Sequence, residues 1–375
     1  MNIQEVIEEE IKQERKSIEM NMLRDRCEKF PDITQEMWEK MEVDSENREL
    51  LDEFLLESTQ LSPKSLKQYT SSLRIFMKWL MDTLNNKKFY TLKKKDFLRY
   101  QNFLIRHGMS SSGIKLKRAS ISSMCNYYET YYIGEDSRFD LFRNFVKGVE
   151  NVAPNSVYIK VEVTEDEYTL MKETLLEENR LRDYALLVTA MECGMRGGEL
   201  RNMKRVEANK IIQEGNTFVT TDIILGKGRN GGKPLEYMMN QTTLDALKLY
   251  NDSRKETDNS EFMFSTYYGG KFNQLSETYF ETVCSEYLSD LVARRINEHI
   301  FRSTCASRAL KRGVPDILVS KYILHHNDLS TLKFYDLRTF DQERNQIFGE
   351  VQNKDDDSNL QSAESQSSSF GNKGF

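Results

Sequence analysis

Apolar side chains recur every three to four residues along most of this chain, and that spacing predicts a protein built mainly from α-helices. The clearest helix follows Ser62-Pro63, because serine is a favoured N-cap residue and proline fits the first helical turn. Its apolar face is formed by Leu66, Tyr69, Leu73, Phe76, Trp79 and Leu80. Further helices are expected over about 92–107 and 113–133.

The first 58 residues carry a helical pattern of their own. One stripe is formed by Ile3, Ile7, Ile11, Ile18 and Met22. Pro31-Asp32 interrupts it, and a second helix is expected to run through Met37 and Met41 to Leu55. We predict that residues 1–58 form a helical extension that packs on the body of the protein or on a partner.

The pattern changes after residue 150. Residues 151–160 contain proline and asparagine and are expected to form a linker, and Thr164 to Glu167 form a capping box that opens the next helix. A helix over 181–193 should end at Gly194. The expected helices beyond it lie near 240–254, 273–292, 298–311, 315–324 and 328–350.

One stretch, residues 206–239, has clear β character. Residues 218–225 and 235–239 flank the sequence GKGRNGGK, whose Asn230-Gly231 pair is typical of a hairpin turn. From Lys354 onward the chain has low complexity and is predicted to be disordered. The pattern therefore predicts helical segments before and after one small hairpin.

Composition excludes several classes of protein. Hydrophobic residues make up 38% of the 375 residues and only 5 are proline, which excludes a wholly disordered or collagen-like chain. The charged start is unlike a signal peptide, and the sequence has no run of 18 apolar residues that would span a membrane. Five scattered cysteines without a CxxC motif indicate neither a disulfide framework nor a zinc site, and they fit a reducing cytosol.

The net charge of −6 conceals a strong asymmetry along the chain. Residues 1–58 carry 8 basic and 18 acidic side chains, whereas residues 59–150 carry 17 basic and 7 acidic ones. A segment of net charge +10 favours contact with the DNA backbone, the alternative being an ordinary solvated surface. The basic side chains around its helices are Lys87, Lys88, Lys93 to Lys95, Arg99, Arg106, Lys115, Lys117 and Arg118.

Candidate chemistry is concentrated in the second half of the chain. Arg196 lies just beyond the glycine that should end a helix, and Lys227 lies in the predicted hairpin. His299 and Arg302 are three residues apart and share one helix face. Tyr335 follows His326 by nine residues. Each feature alone is common in a structural or surface role, so their combination is what matters.

Together these motifs resemble one family, the tyrosine recombinases, which include the phage integrases. The family has an arginine in a G-[LM]-R-x-x-E-L context, a hairpin lysine, H-x-x-R, and a tyrosine nine residues after a second histidine. The matching residues are Gly194-Met195-Arg196 with Glu199-Leu200, Gly226-Lys227-Gly228, His299 with Arg302, and His326 with Tyr335. The resemblance covers about residues 59–350.

The resemblance implies an α-rich α+β fold with two domains. A helical core-binding domain would occupy residues 59–150, and a mixed catalytic domain with a small antiparallel sheet would occupy 151–352. Residues 1–58 would remain an acidic helical extension, and 353–375 a disordered tail.

The same resemblance implies a site-specific DNA recombinase, an integrase of a phage or mobile element. Such an enzyme acts on double-stranded DNA without a metal or other cofactor, is monomeric when free and forms a homo-tetramer on paired sites. Its place would be the cytoplasm of a bacterium or phage-infected host, away from membranes. Residues 1–58 would offer a place for an accessory protein.

The family also implies a role for each matched residue. Tyr335 would attack the scissile phosphate and form a 3′-phosphotyrosine, while Arg196 and Arg302 would clamp the non-bridging oxygens. Two of the other matched residues would move protons. Lys227 would be the general acid, with Lys233 and Arg229 as the alternatives in the same hairpin, and His299 would support proton transfer from Tyr335.

The remaining two would position groups. His326 would bind the phosphate, and Glu199 would orient Arg196.

Two departures from the family pattern leave alternatives open. His325 stands where the family has glycine, and Gly197-Gly198 follow the first arginine where an apolar or β-branched residue is usual. A repressor or architectural protein with the recombinase fold, lacking efficient catalysis, is therefore the main alternative. A topoisomerase-like enzyme that uses the same chemistry without pairing two sites is another.

Overall fold

The computed structural model of the protein describes residues 33–154, 160–226, 232–326 and 328–338. The predicted stripe from Ile3 to Met22, the turn of the hairpin with Lys227, and the low-complexity tail lie outside these ranges.

The first described range is helical. Its helices are α1 (Gln35–Lys40), α2 (Ser45–Glu57), α3 (Pro63–Leu84), α4 (Lys94–Arg106) and α5 (Ser111–Tyr131), with 3₁₀ turns at Phe89–Thr91 and Ser137–Phe139. The predicted start of α3 is confirmed, because the Ser62 side chain accepts a hydrogen bond from the backbone N–H of Ser65. Asn85 ends α3 in the left-handed conformation, with φ of 48°.

An aromatic core holds these helices together. Phe76, Trp79 and Tyr100 pack ring against ring, and Phe89 contacts Tyr128 edge to face with 5.9 Å between centroids. Such pairs add about 0.5–1.5 kcal/mol each beyond the burial of their surface. The core of this region is therefore tightly specified by ring shape.

Part of the segment assigned to the N-terminal extension belongs to this same core. Trp38 of α1 and Leu51 and Phe54 of α2 are buried in it. The side chain of buried Asn47 also bonds to the chain at residues 87 and 89, donating to the Lys87 carbonyl and accepting from the Phe89 N–H. The boundary drawn between residues 58 and 59 thus falls inside one continuous core.

The second region is mixed. Its helices are α6 (Glu165–Glu177), α7 (Leu181–Cys193), α8 (Gly197–Asn202), α9 (Gln241–Ser253), α10 (Tyr279–Thr282), α11 (Ser289–Leu291), α12 (Glu298–Lys311) and α13 (Asp316–Leu318). A π-helical stretch, Val283–Leu288, joins α10 to α11, and a second, Val319–Ile323, follows α13. The 3₁₀ segments are Arg205–Asn209 and Leu329–Phe334.

The strands form antiparallel pairs. They are β1 (Val219–Thr220), β2 (Ile224–Gly226), β3 (Lys233–Leu235), β4 (Met238–Met239), β5 (Ser265–Tyr268) and β6 (Lys271–Gln274). β1 pairs with β4 and β2 with β3, so both pairs belong to the predicted hairpin. In the inner pair Gly226 faces Lys233.

Helix α7 is at the centre of this region, because it packs against α6, α9 and α12. It ends at the predicted Gly194, whose φ is 65°. A side chain at Gly194 would meet Ile323 at 2.8 Å and Cys305 at 3.4 Å, so glycine is required by both conformation and space. This close approach brings the end of α7 against the middle of α12.

The predicted α-rich α+β fold with a small antiparallel sheet is confirmed, and two local predictions are wrong. The hairpin of β5 and β6 was not predicted: its strands have four residues each and mostly polar side chains, so the alternation of buried strands is missing. Of the helix expected over 328–350, the described part is instead the 3₁₀ helix Leu329–Phe334, which ends at Tyr335, and residues 339–350 lie outside the described residues. No helix among the described residues is long and apolar enough to cross a membrane.

Candidate active site

Arg196 lies in the turn between α7 and α8, where it is the N-cap residue of α8. Its Nη1 donates to Oε1 of Glu199 at 2.8 Å, and its backbone N–H donates to Oε2 at the same distance. Its Nη2 lies 3.2 Å from Nε2 of His326. The guanidinium is therefore held in place by contacts on two of its sides.

Glu199 is buried and serves as the anchor of this turn. It also accepts a hydrogen bond from the hydroxyl of Tyr237, a buried residue between β3 and β4. Burial alone raises the pKa of the Glu199 carboxyl, but the Arg196 charge and the Tyr237 hydroxyl outweigh it and the pKa is lowered. Burial likewise opposes the charge on Arg196, and Glu199 reverses the effect so that the Arg196 pKa is raised.

Arg302 projects from α12 and is fully buried. Its two terminal nitrogens donate to the backbone carbonyls of Gly194 and Leu324. Its Nε is buried without a hydrogen-bond partner. An unpaired buried donor is costly, and an oxygen atom placed against it would remove that cost.

His326 connects Arg196 to the segment that carries Tyr335. Its Nδ1 lies 2.7 Å from the hydroxyl of Thr331, and that hydroxyl donates to the Asp328 carbonyl. Arg196 can only donate, so Nε2 of His326 accepts and Nδ1 carries the proton. Burial, followed by the charges of Arg302 and Arg196, lowers the pKa of His326 to about 4, so the ring is neutral at pH 7.

Tyr335 stands at the end of the 3₁₀ helix Leu329–Phe334, with its backbone N–H bonded to the Leu332 carbonyl at 2.8 Å. Its ring meets the His326 ring edge to face, with 5.1 Å between centroids. The Arg302 guanidinium carbon lies 5.8 Å from the centre of the same ring. The tyrosine selected by its nine-residue offset therefore lies beside the histidine and arginine that the motif specifies.

His299 lies in the first turn of α12, one turn before Arg302. It is open to solvent, but the atoms packed behind it and the charges of Arg196, Arg302 and Lys160 lower its pKa. These three cations therefore lie near enough to His299 to favour a neutral imidazole, which can accept a proton.

The residues that depart from the family pattern have a local explanation. His325 has φ of 48°, in the left-handed region that favours glycine. Its ring packs edge to face on Tyr237, 4.5 Å between centroids, and so does not crowd Tyr335. A side chain at Gly197 would reach within 1.9 Å of the Glu298 carboxylate, so this glycine makes room for Glu298. Gly198 has no such neighbour.

The predicted general acid, Lys227, lies outside the described residues, as does Arg229. Gly226, the residue before Lys227, is close to Glu199, since a β-carbon built on it would lie 3.0 Å from Oε1. The third candidate, Lys233, donates from Nζ to the His325 carbonyl at 2.9 Å. The hairpin thus reaches the site, and Lys233 binds the backbone at His325, next to His326.

Four residues at the site were not singled out from the sequence. Tyr237 and Thr331 bond to Glu199 and His326, Glu298 lies on Gly197, and Lys160 lies near Tyr335. The sequence gives a signal for one of the four, Glu298, because the unusual glycine at position 197 indicates that another group lies close to it. Among the described residues, no cluster of His, Cys, Asp and Glu side chains could hold a metal ion.

Comparison with known proteins agrees with this geometry. The model of the phage integrase family matches residues 162–341. The SPbeta prophage-derived recombinase-like protein YomM of Bacillus subtilis (strain 168) is 44% identical over 335 residues, covering 89% of this chain and 99% of that protein. A tyrosine recombinase of Pseudothermotoga lettingae is 26% identical over 298 residues, 78% of this chain and 93% of that one.

A solved structure extends the agreement to the fold. The lambda integrase tetramer bound to a Holliday junction matches with a TM-score of 0.56 at 16% identity, covering 86% of this chain and 84% of that one. The fold is shared at low identity, whereas the prophage protein is similar over nearly its whole length. This chain belongs to the phage integrase family of tyrosine recombinases, the enzymes of site-specific DNA recombination.

Proposed function

We propose that this recombinase cuts and rejoins DNA strands through a covalent 3′-phosphotyrosine on Tyr335. The observation that carries the proposal is the meeting of Arg196, Arg302, His326 and Tyr335 at one site from separate segments of the chain, with His299 one turn before Arg302 on α12. Attack by the Tyr335 oxygen forms the tyrosine–phosphorus bond and breaks the bond to the 5′-oxygen. Attack by a 5′-hydroxyl on that intermediate reverses the step and joins strands.

The two arginines stabilise the negative charge that develops on the phosphate oxygens during attack. The unpaired Nε of Arg302 is a donor left over after the backbone carbonyls are satisfied, and it lies next to the tyrosine that would attack. Arg196 is fixed by Glu199, so it needs little rearrangement when the phosphate arrives. Prepositioned donors of this kind typically supply the largest part of catalysis.

Proton movements fall to the histidines and the hairpin lysine. His299, neutral near pH 7, takes the Tyr335 proton, and Lys227 gives a proton to the leaving 5′-oxygen. His326 donates to a phosphate oxygen only after its proton moves from Nδ1 to Nε2, because Nε2 accepts from Arg196 in the free protein. Lys233 remains the alternative acid, since its ammonium lies beside the histidines and an ammonium has more donors than the one that bonds to the His325 carbonyl.

A covalent trap on nicked DNA tests this proposal. The sequence that the protein selects from a random DNA library is rebuilt as duplexes with a nick at successive positions, so that the short cleaved end diffuses away. We expect a protein–DNA band on a denaturing gel with the wild type and none with Tyr335→Phe, while both shift the DNA equally on a native gel. A native shift without any covalent band from the wild type would instead favour the repressor alternative.

We propose that the DNA backbone is held by the basic face of the helical region. Lys94, Lys95, Arg99, Arg106 and Lys115 are exposed on α4 and α5. Two other lysines of the segment, Lys87 and Lys88, are paired with acidic side chains, and Lys117 is buried. Replacing Lys94, Lys95 and Lys115 together by alanine should flatten the slope of log affinity against log salt by up to about 0.9 per lost phosphate contact. Lys248→Ala on α9 is the matched control.

We propose further that free monomers assemble as a tetramer on two paired sites. The support is a group of exposed apolar side chains near Tyr335, namely Ile317, Leu318, Tyr322, Leu329 and Phe334. Residues 337–351 of a neighbouring copy carry apolar side chains that could cover such a surface, and closed rings form when every copy gives and receives one such segment. Deleting 337–375 should preserve single-site binding but abolish paired complexes on a native gel. Deletion of 354–375 is the control, and paired complexes that survive the longer deletion would contradict the proposal.

A further inference from the structure

Lys160, near the start of the catalytic region, contacts the segment that carries Tyr335, near its end. Its Nζ donates to the carbonyl oxygen of Phe334 at 3.0 Å, across 174 positions of sequence. The same nitrogen lies 5.9 Å from the centre of the Tyr335 ring. Lys160 is also one of the cations that lower the pKa of His299. One lysine therefore reaches the residue before the nucleophile and the nucleophile's own ring.

The contact falls where a short helix needs it. The last carbonyls of a helix lack partners within the helix and carry partial negative charge, so a cation there stabilises the end. Phe334 is the last residue of the 3₁₀ helix, and Tyr335 follows it directly. The helix is otherwise lightly held, because Leu332 is buried while Leu329 and Phe334 are exposed.

Arg302 is another cation beside Tyr335, but its terminal donors are used elsewhere. Both its terminal nitrogens are bonded to the carbonyls of Gly194 and Leu324, away from the Phe334 carbonyl. Lys160 in turn lies in the sequence that joins the helical region to the catalytic region. A contact from this joining segment sets where the end of the 3₁₀ helix lies.

We infer that Lys160 is a positioning residue that fixes Tyr335 for attack by capping the 3₁₀ helix at Phe334. The inference rests on the proposed role of Tyr335 as nucleophile for its effect on cleavage, but the capping itself is a property of the free protein. Loss of the cap should loosen residues 329–338 and misplace the Tyr335 oxygen, without weakening the grip on DNA.

The first experiment measures backbone hydrogen exchange of the free, full-length protein by mass spectrometry. In Lys160→Met, which keeps an unbranched side chain as far as Cε but removes the ammonium group, peptides covering 329–338 should exchange faster, while those covering α12 stay unchanged. Lys160→Arg should exchange like the wild type, and Lys248→Met is the control for loss of a surface charge. Equal exchange of 329–338 in Lys160→Met and the wild type would overturn the inference.

The second experiment uses the nicked duplexes described above in single-turnover reactions. Lys160→Met should form the covalent adduct on the order of 10- to 100-fold more slowly, because a small misplacement of a reacting group costs that much. Its affinity for DNA should equal that of the wild type, and Lys160→Arg should restore most of the rate. An unchanged rate, or a loss of affinity equal to the loss of rate, would contradict a positioning role. Absence of any adduct from the wild type would overturn the proposed function, and the exchange experiment would still decide on Lys160.

Discussion

The two halves of the site differ in how firmly they are built. The charged half, which consists of Arg196, Glu199 and Arg302, is rooted in buried helices and held by the ion pair and by backbone carbonyls. The nucleophile half, named for the role proposed for Tyr335 beside His326, belongs to a short segment whose neighbours Leu329 and Phe334 are exposed. Among the described residues the two arginines are therefore firmly held, whereas the proposed nucleophile depends on a few contacts.

If the proposed mechanism holds, we expect this difference to place control of the reaction on Tyr335. A rigid set of charges lowers the barrier for every bound phosphate, so it offers no means of restraint. A lightly held tyrosine should respond to the contact of Lys160 with the preceding residue and to bound DNA. The following variants test the division between the halves.

The largest expected effects come from the charged half. Arg302→Ala and Arg196→Ala should each slow adduct formation on the order of 10²–10³-fold or more, since each removes a donor to the transition state. Arg302→Lys should recover little, because one ammonium cannot reach both the Gly194 and Leu324 carbonyls. Single-turnover rates on the nicked duplex measure these effects.

Arg196 should also contribute to the free energy of unfolding, through its ion pair with Glu199. Arg196→Ala leaves the buried Glu199 carboxylate without its cation, a loss of about 3–5 kcal/mol of unfolding free energy. Adding Glu199→Gln should restore much of that stability but none of the cleavage. Recovery of cleavage in the double variant would mean that Arg196 acts only through the fold.

The histidine pair tests the nucleophile half. His326→Ala should slow cleavage by roughly 10- to 100-fold, because it removes the link between Arg196 and Thr331 next to Tyr335. His325→Gly should leave cleavage near the wild-type rate, since glycine suits the φ of 48° and only the ring contact with Tyr237 is lost. A larger effect at His325 would show that the catalytic imidazole has been misassigned.

The pH dependence of stability should separate the halves as well. Burial lowers the pKa of both His325 and His326 to about 4, below the ordinary 6.5. Between pH 6.5 and 4 the unfolded chain binds protons that the folded protein excludes, so the free energy of unfolding falls as the pH drops through that window. The pKa of Glu199 is lowered from 4.5, so its contribution is lost only below that pH.

Thermal unfolding between pH 7 and pH 4.5 measures this dependence. His325→Gly should lose less stability than the wild type as the pH drops, because the unfolded variant has one histidine fewer that takes up a proton which the folded protein excludes. Parallel curves for the two proteins would contradict the pKa assignments.

The smallest effect distinguishes the two glycines after Arg196. Gly198→Ala, in the first turn of α8 with open space around it, should raise the unfolding free energy by about 0.4–1 kcal/mol, since alanine restricts the unfolded chain. Gly197→Ala should gain less than Gly198→Ala, because its β-carbon meets the Glu298 carboxylate, which must move aside. Glu298→Ala should relieve that collision, which the double variant measures.

The sequence was sufficient where local rules decide the structure. The cap at Ser62, the capping box at Thr164 and the stop at Gly194 each depend on a residue and its near neighbours, and the predicted helices form there. The offset of Tyr335 from His326 depends on one short segment, which places the two rings in contact.

The missed features are tertiary. Tyr237 reaches Glu199 across 38 positions and Lys160 reaches Phe334 across 174, so no periodicity or motif reveals either contact. Packing of residues 1–58 on the body was one of the two predicted outcomes, but their acidic charge suggested a separate unit, so the core that α1 and α2 share with the basic helices was not predicted. Trp38, Leu51 and Phe54 override that charge once they are buried together with the aromatic rings.

The two carbonyls that Arg302 binds also have a consequence for how the enzyme is made. Gly194 lies 108 positions before Arg302, and Leu324 lies 22 positions after it. During synthesis the Gly194 carbonyl is therefore already present when Arg302 is made, whereas the Leu324 carbonyl follows only after 22 more residues. Both contacts can form only when the chain is complete to just short of Tyr335, so an unfinished chain lacks both the fully held guanidinium and the proposed nucleophile.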